Sequence, residues 1–308
     1  MIIKKILPAI MMLVLAVAAV NFGMQAYKGF QAERQRKLLF EKRKAAWQAL
    51  EKKIASDIKS FDGEVSLVIK DLATGLEISF DKDKAIQSAS LVKVPIMAAV
   101  FYAESEGRLK LDEKMTHIRA QTVPGSGVLK SEKPGKSYTI KELMDLMISE
   151  SDNTAANMLM EKLGMDYLDK SFKRMGLKNT NISRVMMDFK SRKMGVENYT
   201  TASDMAYLLE KIYRGKLINP LVSKECLTIL ARQKVKDRIP KKLPPGTVVA
   251  HKTGLERGVC HDAGIVYTKK GNFLIVALTR HKSKTSKDAK AFIAGISLDV
   301  YNWYDGLV

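Results

Sequence analysis

Cysteine and histidine are scarce, at two and four in 308 residues. Cys226 and Cys260 allow one disulfide at most, and their number alone does not decide whether they pair. Two buried thiols is the simpler expectation. No cysteine follows the apolar leader, which excludes a lipoprotein anchor. Zinc-finger spacing is absent. His251, Cys260 and His261 lie close in sequence, but four-ligand spacing is missing, so no metal and no cofactor are expected. An RNA-binding aromatic motif is also missing, and nucleic acid is not expected as a partner despite a net charge of +19. Acidic residues are the minority, 33 Asp and Glu against 52 Lys and Arg. That balance points to membrane lipid or an acidic cell-wall polymer instead.

The basic excess is uneven. Residues 1–60 hold 12 Lys and Arg and 4 Asp and Glu, and the remaining excess is spread thinly. Lys4 and Lys5 precede an uncharged stretch from Ile6 to Tyr27, with its apolar heart at Ile6–Val20. The run can span a bilayer as a helix if Asn21–Tyr27 sits at the interface. Ala16-Val17-Ala18 also offers a signal-peptide cleavage site. Residues 1–27 are therefore a signal-anchor or a signal peptide, and either exports the rest of the chain. An uncleaved membrane anchor is the first expectation and secretion after cleavage the alternative. Lys28, Arg34, Arg36 and Lys37 run against the positive-inside preference. Residues 28–60 read as a basic helical stalk and first helix. Phe40, Trp47, Ile54 and Phe61 recur every seven residues, with Leu50 and Ile58 beside them. The stripe is short for a coiled coil and fits better a first helix packed on the domain that follows, residues 61–308.

In that domain Val65–Ile69 and Leu76–Phe80 flank a turn at Asp71–Gly75 and read as a hairpin. A helix is expected from Leu91 to Glu106, a loop over 120–137, and a helix opened by the capping box Thr139 and Glu142. Further helices are expected at Thr154–Leu163, Thr201–Arg214 and Val222–Lys234. Strands are expected next at Thr247–Thr253, Gly264–Thr268 and Phe273–Arg280, then a last helix at Asp288–Trp303. The order predicts an α/β chain of the α+β type. A five-stranded antiparallel sheet is flanked by N- and C-terminal helices, with an all-α subdomain from the middle of the chain. No internal repeat is apparent.

Ser90-Leu91-Val92-Lys93 is an S-x-x-K tetrad at a helix start. Ser56 with Lys59 and Ser79 with Lys82 share the spacing, so the tetrad alone is weak. Ser90 differs in opening an apolar helix that would bury the pair. Residues three apart share a helix face, and a buried lysine loses its proton readily enough to act as a base. Ser151-Asp152-Asn153 lies between two helices, and Lys252-Thr253-Gly254 ends a strand. A cap, a polar loop and a strand-to-turn junction are the plain readings of the three. All three in this order, on these elements, are uncommon.

Together they resemble the signature of class A β-lactamases and penicillin-binding proteins, over about residues 45–305. The stretch Val248–Gly254 and the Asp262–Gly264 motif fit the same pattern. The resemblance implies a serine hydrolase acting on amide bonds. Ser90 would be the nucleophile, Lys93 its base, and Ser151 the proton relay to the leaving nitrogen. Asn153, Lys252, Thr253 and Gly254 would bind substrate, and the backbone N–H groups of Ser90 and Leu255 would form the oxyanion hole. A monomer acting on a β-lactam or a D-Ala-D-Ala peptide is expected.

The sequence departs from the family in one place. Class A β-lactamases carry a deacylating glutamate in an R-x-E-x-x-L-N loop. Ungapped matching from Arg184 puts Met186 at that position, and Asp188 is the nearest carboxylate. A β-lactamase is the first expectation, with Asp188 as the possible deacylation carboxylate; a D-Ala-D-Ala peptidase of peptidoglycan metabolism is the alternative, and a β-lactam sensor is a third reading.

Overall fold

Leu67, Val68 and Ile69 are consecutive and all buried, yet they serve two different cores. Such a run marks a strand covered on both faces, because successive side chains point to opposite sides. The computed structural model describes residues 3–306, and only the backbone of residues 3–10, 13 and 14. A helix, α1 (Ile3–Ser60), leads into β1 (Gly63–Asp71) and β2 (Glu77–Phe80). Seven helices come next: α2 (Lys93–Ser105), α3 (Ile140–Ser149), α4 (Asn153–Leu163), α5 (Met165–Met175), α6 (Phe189–Lys193), α7 (Ala202–Tyr213) and α8 (Pro220–Ala231). The chain closes with β3 (Val249–Glu256), β4 (Val259–Thr268), β5 (Gly271–His281) and α9 (Lys287–Asp305). Sheet order is β2-β1-β5-β4-β3, antiparallel throughout. The α+β architecture expected from the sequence is the one observed.

Strand β5 shows the two-faced burial most fully. Leu274, Val276 and Leu278 join the core shared with α2, α3, α4, α5, α7 and α8, while Phe273, Ile275 and Ala277 join the core under α1 and α9. The capping box at α3 forms as expected, with Thr139 Oγ1 accepting from the Glu142 N–H at 3.1 Å and Glu142 accepting from the Thr139 N–H at 2.7 Å. Helix α5 was not anticipated. Gly164 separates it from α4 with φ 78°, and five of its eleven residues are charged, so the segment could be read as loop.

The stripe on α1 packs against the domain. Trp47, Leu50 and Ile54 are buried, and Trp47 meets Trp303 of α9 edge-on at 4.8 Å between ring centroids. Leader and stalk form one continuous helix of 58 residues. Among the described residues no helix is long and apolar enough to cross a membrane. Much of Ile6–Val20, on which the anchor expectation rests, lies outside the described side chains. Both cysteines are buried free thiols.

A buried ionic cluster ties α1 and α9 to the sheet. Arg43 Nη1 donates to Asp71 Oδ2 at 2.9 Å, Tyr304 Oη to Asp71 Oδ1 at 2.7 Å, and Thr74 Oγ1 to Asp71 Oδ2 at 2.5 Å. Burial alone would raise the Asp71 carboxyl, but the hydrogen bonds from Thr74, Tyr304 and Arg43 outweigh it and hold it below the usual range. Removing one member strands the others in a dry site. Asp71→Ala is expected to destabilise the fold by about 3–5 kcal/mol in urea titration. Stability also falls as pH drops through the lowered Asp71 pKa. A loss under about 1 kcal/mol would show that the cluster is dispensable.

Candidate active site

The tetrad serine does not open an α-helix directly. Ser90 lies on a 3₁₀ turn, Ala89–Val92, and α2 begins at Lys93. The turn is pinned by the Ser88 N–H donating to the Asn198 carbonyl at 2.8 Å. Strand β3 approaches it closely. A Cβ on Gly254 would lie 3.2 Å from the His261 ring and 3.3 Å from the Ser88 carbonyl, so a small residue lets Lys252-Thr253-Gly254 close on Ser90.

Lys93 is fully buried and meets only neutral oxygens. Its Nζ donates to the Ser151 carbonyl at 2.6 Å, to Asn153 Oδ1 at 2.7 Å and, more loosely, to Ser151 Oγ at 3.4 Å. Burial lowers its pKa to about 7, against a partial opposing pull from Asp152 and Glu256. Lys252, equally buried, donates to Ser151 Oγ at 2.9 Å and to the Thr253 carbonyl at 2.9 Å. Burial, then the neighbouring Lys93, pushes Lys252 well below the ordinary lysine range. Two lysines thus converge on the Ser151 hydroxyl, which can pass a proton between them.

Asp152 builds the wall beside this pair. It caps α4 through the Ala155 N–H at 2.9 Å and receives the Val128 and Leu129 N–H groups at 2.7 and 2.8 Å. Asn153 Nδ2 donates to the Pro124 carbonyl at 3.2 Å. Five non-glycine residues have positive φ among the described residues, and three stand at the site: Ala89, Ser151 and Met187. Backbone strain of this kind costs roughly 1–3 kcal/mol per residue and persists where surrounding contacts enforce it.

Ser90, Asn153 and Leu255 line a cavity of about 280 Å³ together with Met186, Met187, Phe189 and Glu256. Asn157 clamps Met186 from both sides, donating to its carbonyl at 3.0 Å and accepting from its N–H at 2.8 Å. Asp188 does not line this cavity. Its carboxylate caps α6, accepting the Ser191 N–H at 3.0 Å and the Ser191 hydroxyl at 2.6 Å, and those bonds lower its pKa. The three residues with metal-ligand chemistry are engaged elsewhere. His251 Nδ1 meets Asp262 at 2.8 Å, Arg238 Nε meets Cys260 Sγ at 3.1 Å, and His261 Nε2 meets the Gln87 carbonyl at 2.8 Å.

Sequence reasoning missed a charge network at the rim. Arg184 joins Glu197 at 2.6 Å and Glu256 at 3.3 Å, and Arg192 joins Glu256 at 3.1 Å. It fastens the loop that carries Met186 to the end of β3. Only the place of Glu256, two residues past Gly254, hinted at it.

Residues 49–304 match the profile described as the Beta-lactamase enzyme family. The chain belongs to this family. It is 25% identical over 272 residues to Beta-lactamase VEB-1 of Pseudomonas aeruginosa, covering 82% of this chain and 89% of that protein. A beta-lactamase of Bacteroides uniformis is 28% identical, over 69% of this chain and 77% of its own length. Among solved structures, PBP-A superposes with TM-score 0.77 at 30% identity, covering 84% of this chain and 97% of that one. A beta-lactamase from Sphaerobacter thermophilus superposes with TM-score 0.77 at 27% identity, covering 85% and 98%. Family membership makes the chain a serine hydrolase.

Within this family member, Gly127 tests how rigid the wall must be. A Cβ there would fall 2.3 Å from the Asp152 carboxylate, at a φ of 113°. Gly127→Ala is expected to cost about 1–3 kcal/mol, read as a fall in Tm. An unchanged Tm would mean that the 125–130 segment moves freely.

Proposed function

We propose that the enzyme acylates Ser90 with β-lactams readily and hydrolyses the acyl-enzyme slowly, as a penicillin-binding serine hydrolase of peptidoglycan metabolism would. Neutral Lys93 takes the Ser90 proton, and Ser90 Oγ attacks the lactam carbonyl. The backbone N–H groups of Ser90 and Leu255 hold the oxyanion. Lys252 and Ser151 hand a proton to the departing nitrogen, Asn153 orients the acyl-side amide, and Lys252 with Thr253 and Gly254 receives the substrate carboxylate. The acyl group then stays on Ser90 until water is activated.

One observation carries the slow second half: Met186, clamped by Asn157, lines the cavity where the family glutamate is expected. A thioether cannot polarise water. Asp188 is occupied by Ser191 and stands outside the lining. A solved variant of PBP-A is described as an acyl-enzyme complex with penicillin G, which supports a stable adduct on this scaffold. The β-lactamase reading rests on relatives such as VEB-1 and applies if turnover is fast. D-Ala-D-Ala peptides are the proposed natural substrate. An extracytoplasmic, membrane-anchored location goes with this reading, on the strength of Lys4, Lys5 and Ile6–Val20.

Ser90→Ala is expected to abolish penicilloyl labelling in intact-mass spectra, and labelling that survives would remove Ser90 as nucleophile. Lys93→Ala is expected to slow acylation by roughly 100- to 10,000-fold with the fold intact. Met186→Glu restores a carboxylate at the cavity and is expected to shorten the adduct lifetime by at least about 100-fold. A wild-type adduct that already vanishes within seconds would return the assignment to β-lactamase.

A further inference from the structure

The turns at one end of the sheet meet α1 a short way beyond its apolar leader. Arg43 bonds Asp71 where β1 ends, and α1 finishes at Ser60 just before β1 begins, so helix and strand run antiparallel. Arg43 to Ser60 covers about 26 Å of helix and Gly63 to Asp71 about 26 Å of strand, so the two keep step along the whole domain. The end near Arg43 gathers three turns. Arg36 Nη2 donates to the Thr74 carbonyl at 3.1 Å, Arg43 Nη2 to the Lys270 carbonyl at 3.0 Å, and Arg214 Nη2 to the Leu72 carbonyl at 3.3 Å. This end is basic. Arg36, Lys216, Lys269 and Lys270 are exposed there, and among the described residues no acid pairs with Lys216 or Lys269. The exposed acids nearby are Glu33, Glu41 and Asp305, the first of them held by Lys37 at 3.1 Å. Back along the same helix, Tyr27 and Phe30 are 64% and 63% exposed.

We propose that this basic end of the domain is a docking surface for anionic phospholipid. The inference rests on the membrane-anchored location proposed above and adds which face of the domain meets the bilayer. Tyr27 and Phe30 follow the apolar run and mark the interfacial level, where aromatic rings settle. Arg36 stands about 9 Å of helix beyond Phe30, a separation comparable to the Debye length, so the charges of this end still feel a negative leaflet. Helix α1 is continuous from leader to domain. It keeps the same end turned toward the headgroups. Ser90 stands at the other end. Gly254, which closes on the Ser90 turn, pairs with His261, and His261 to Thr268 at the basic turn covers about 23 Å of strand. Docking at the basic end therefore holds the Ser90 cavity clear of the lipid.

The test places the full chain in nanodiscs of phosphatidylcholine, alone or mixed with phosphatidylglycerol. Exposed lysines are acetylated and their rates read by mass spectrometry. Phosphatidylglycerol is expected to slow acetylation of Lys216, Lys269 and Lys270 by about fivefold. Lys284, which follows the far end of β5, is expected to keep its rate. High salt is expected to remove the difference. In the double variant Lys216→Glu/Lys269→Glu, Lys270 is expected to lose its slowing while Ser90 labels with benzylpenicillin at the wild-type rate. Equal acetylation of Lys216 and Lys269 in the two lipids, or slowing that Lys284 shares, overturns the docking surface. Retention in neutral nanodiscs reads the anchor separately. A chain retained there whose lysines react equally in both lipids keeps its anchor and loses the surface. A chain that leaves neutral lipid yet binds the anionic mixture with Lys216 and Lys269 protected keeps the surface and loses the anchor.

Discussion

A lysine ammonium in a dry interior, surrounded by neutral oxygens, is the constraint around which the rest of this site is arranged. Lys93 has no carboxylate within hydrogen-bond distance; its partners are the Ser151 carbonyl, the Ser151 hydroxyl and the Asn153 side-chain oxygen. Burial therefore favours the free amine, and a free amine next to a serine is a base. The fold supplies the burial. Helix α2 runs through the middle of the α-helical core, with Val94 through Val100 each buried. The convergence comes from elsewhere: the α3–α4 loop brings Ser151 and Asn153, and β3 brings Lys252.

The two halves of the proposed reaction depend on different parts of the chain. Acylation uses groups held by the core and by the sheet. Deacylation depends on the loop from Arg184 to Asn198, which is held by a few specific bonds. Asn198 takes the Ser183 and Arg184 N–H groups at 2.7 and 3.0 Å, Asn157 clamps Met186, and the Arg184–Glu197–Glu256–Arg192 network ties the loop to β3. The loop is well anchored yet presents a methionine to the cavity. A rigid loop with an inert side chain differs from a collapsed one, because a single carboxylate can restore what is missing.

Much of this was legible in the sequence because it rests on local rules. The capping box at Thr139 and Glu142 and the strand pattern of β1 and β5 depend on neighbours in sequence. The tetrad Ser90–Lys93 reflects helical spacing, although the turn that carries Ser90 is 3₁₀ rather than α. Helix α5 was less legible, since Gly164 interrupts the chain and its apolar face is confined to residues such as Leu168 and Phe172. The rim network was barely legible, hinted at only by the place of Glu256. Arg184 and Glu256 are 72 residues apart, and nothing in their local sequence marks them as partners. Asp188 shows the converse: a nearby carboxylate looks available in one dimension, and a hydroxyl three residues on has claimed it.

The central claim is that Lys93 is neutral when Ser90 reacts, and the pH dependence of acylation tests it most directly. The rate of penicilloyl adduct formation with benzylpenicillin is measured on the wild-type chain from about pH 5 to about pH 9. With Lys93 titrating at about 7, the rate is predicted to be level above that pH. Below it the rate falls about tenfold per unit as the amine takes up its proton. A rate that stays flat down to the lowest pH, or that still climbs about tenfold per unit at the highest, would contradict a neutral Lys93 as the base.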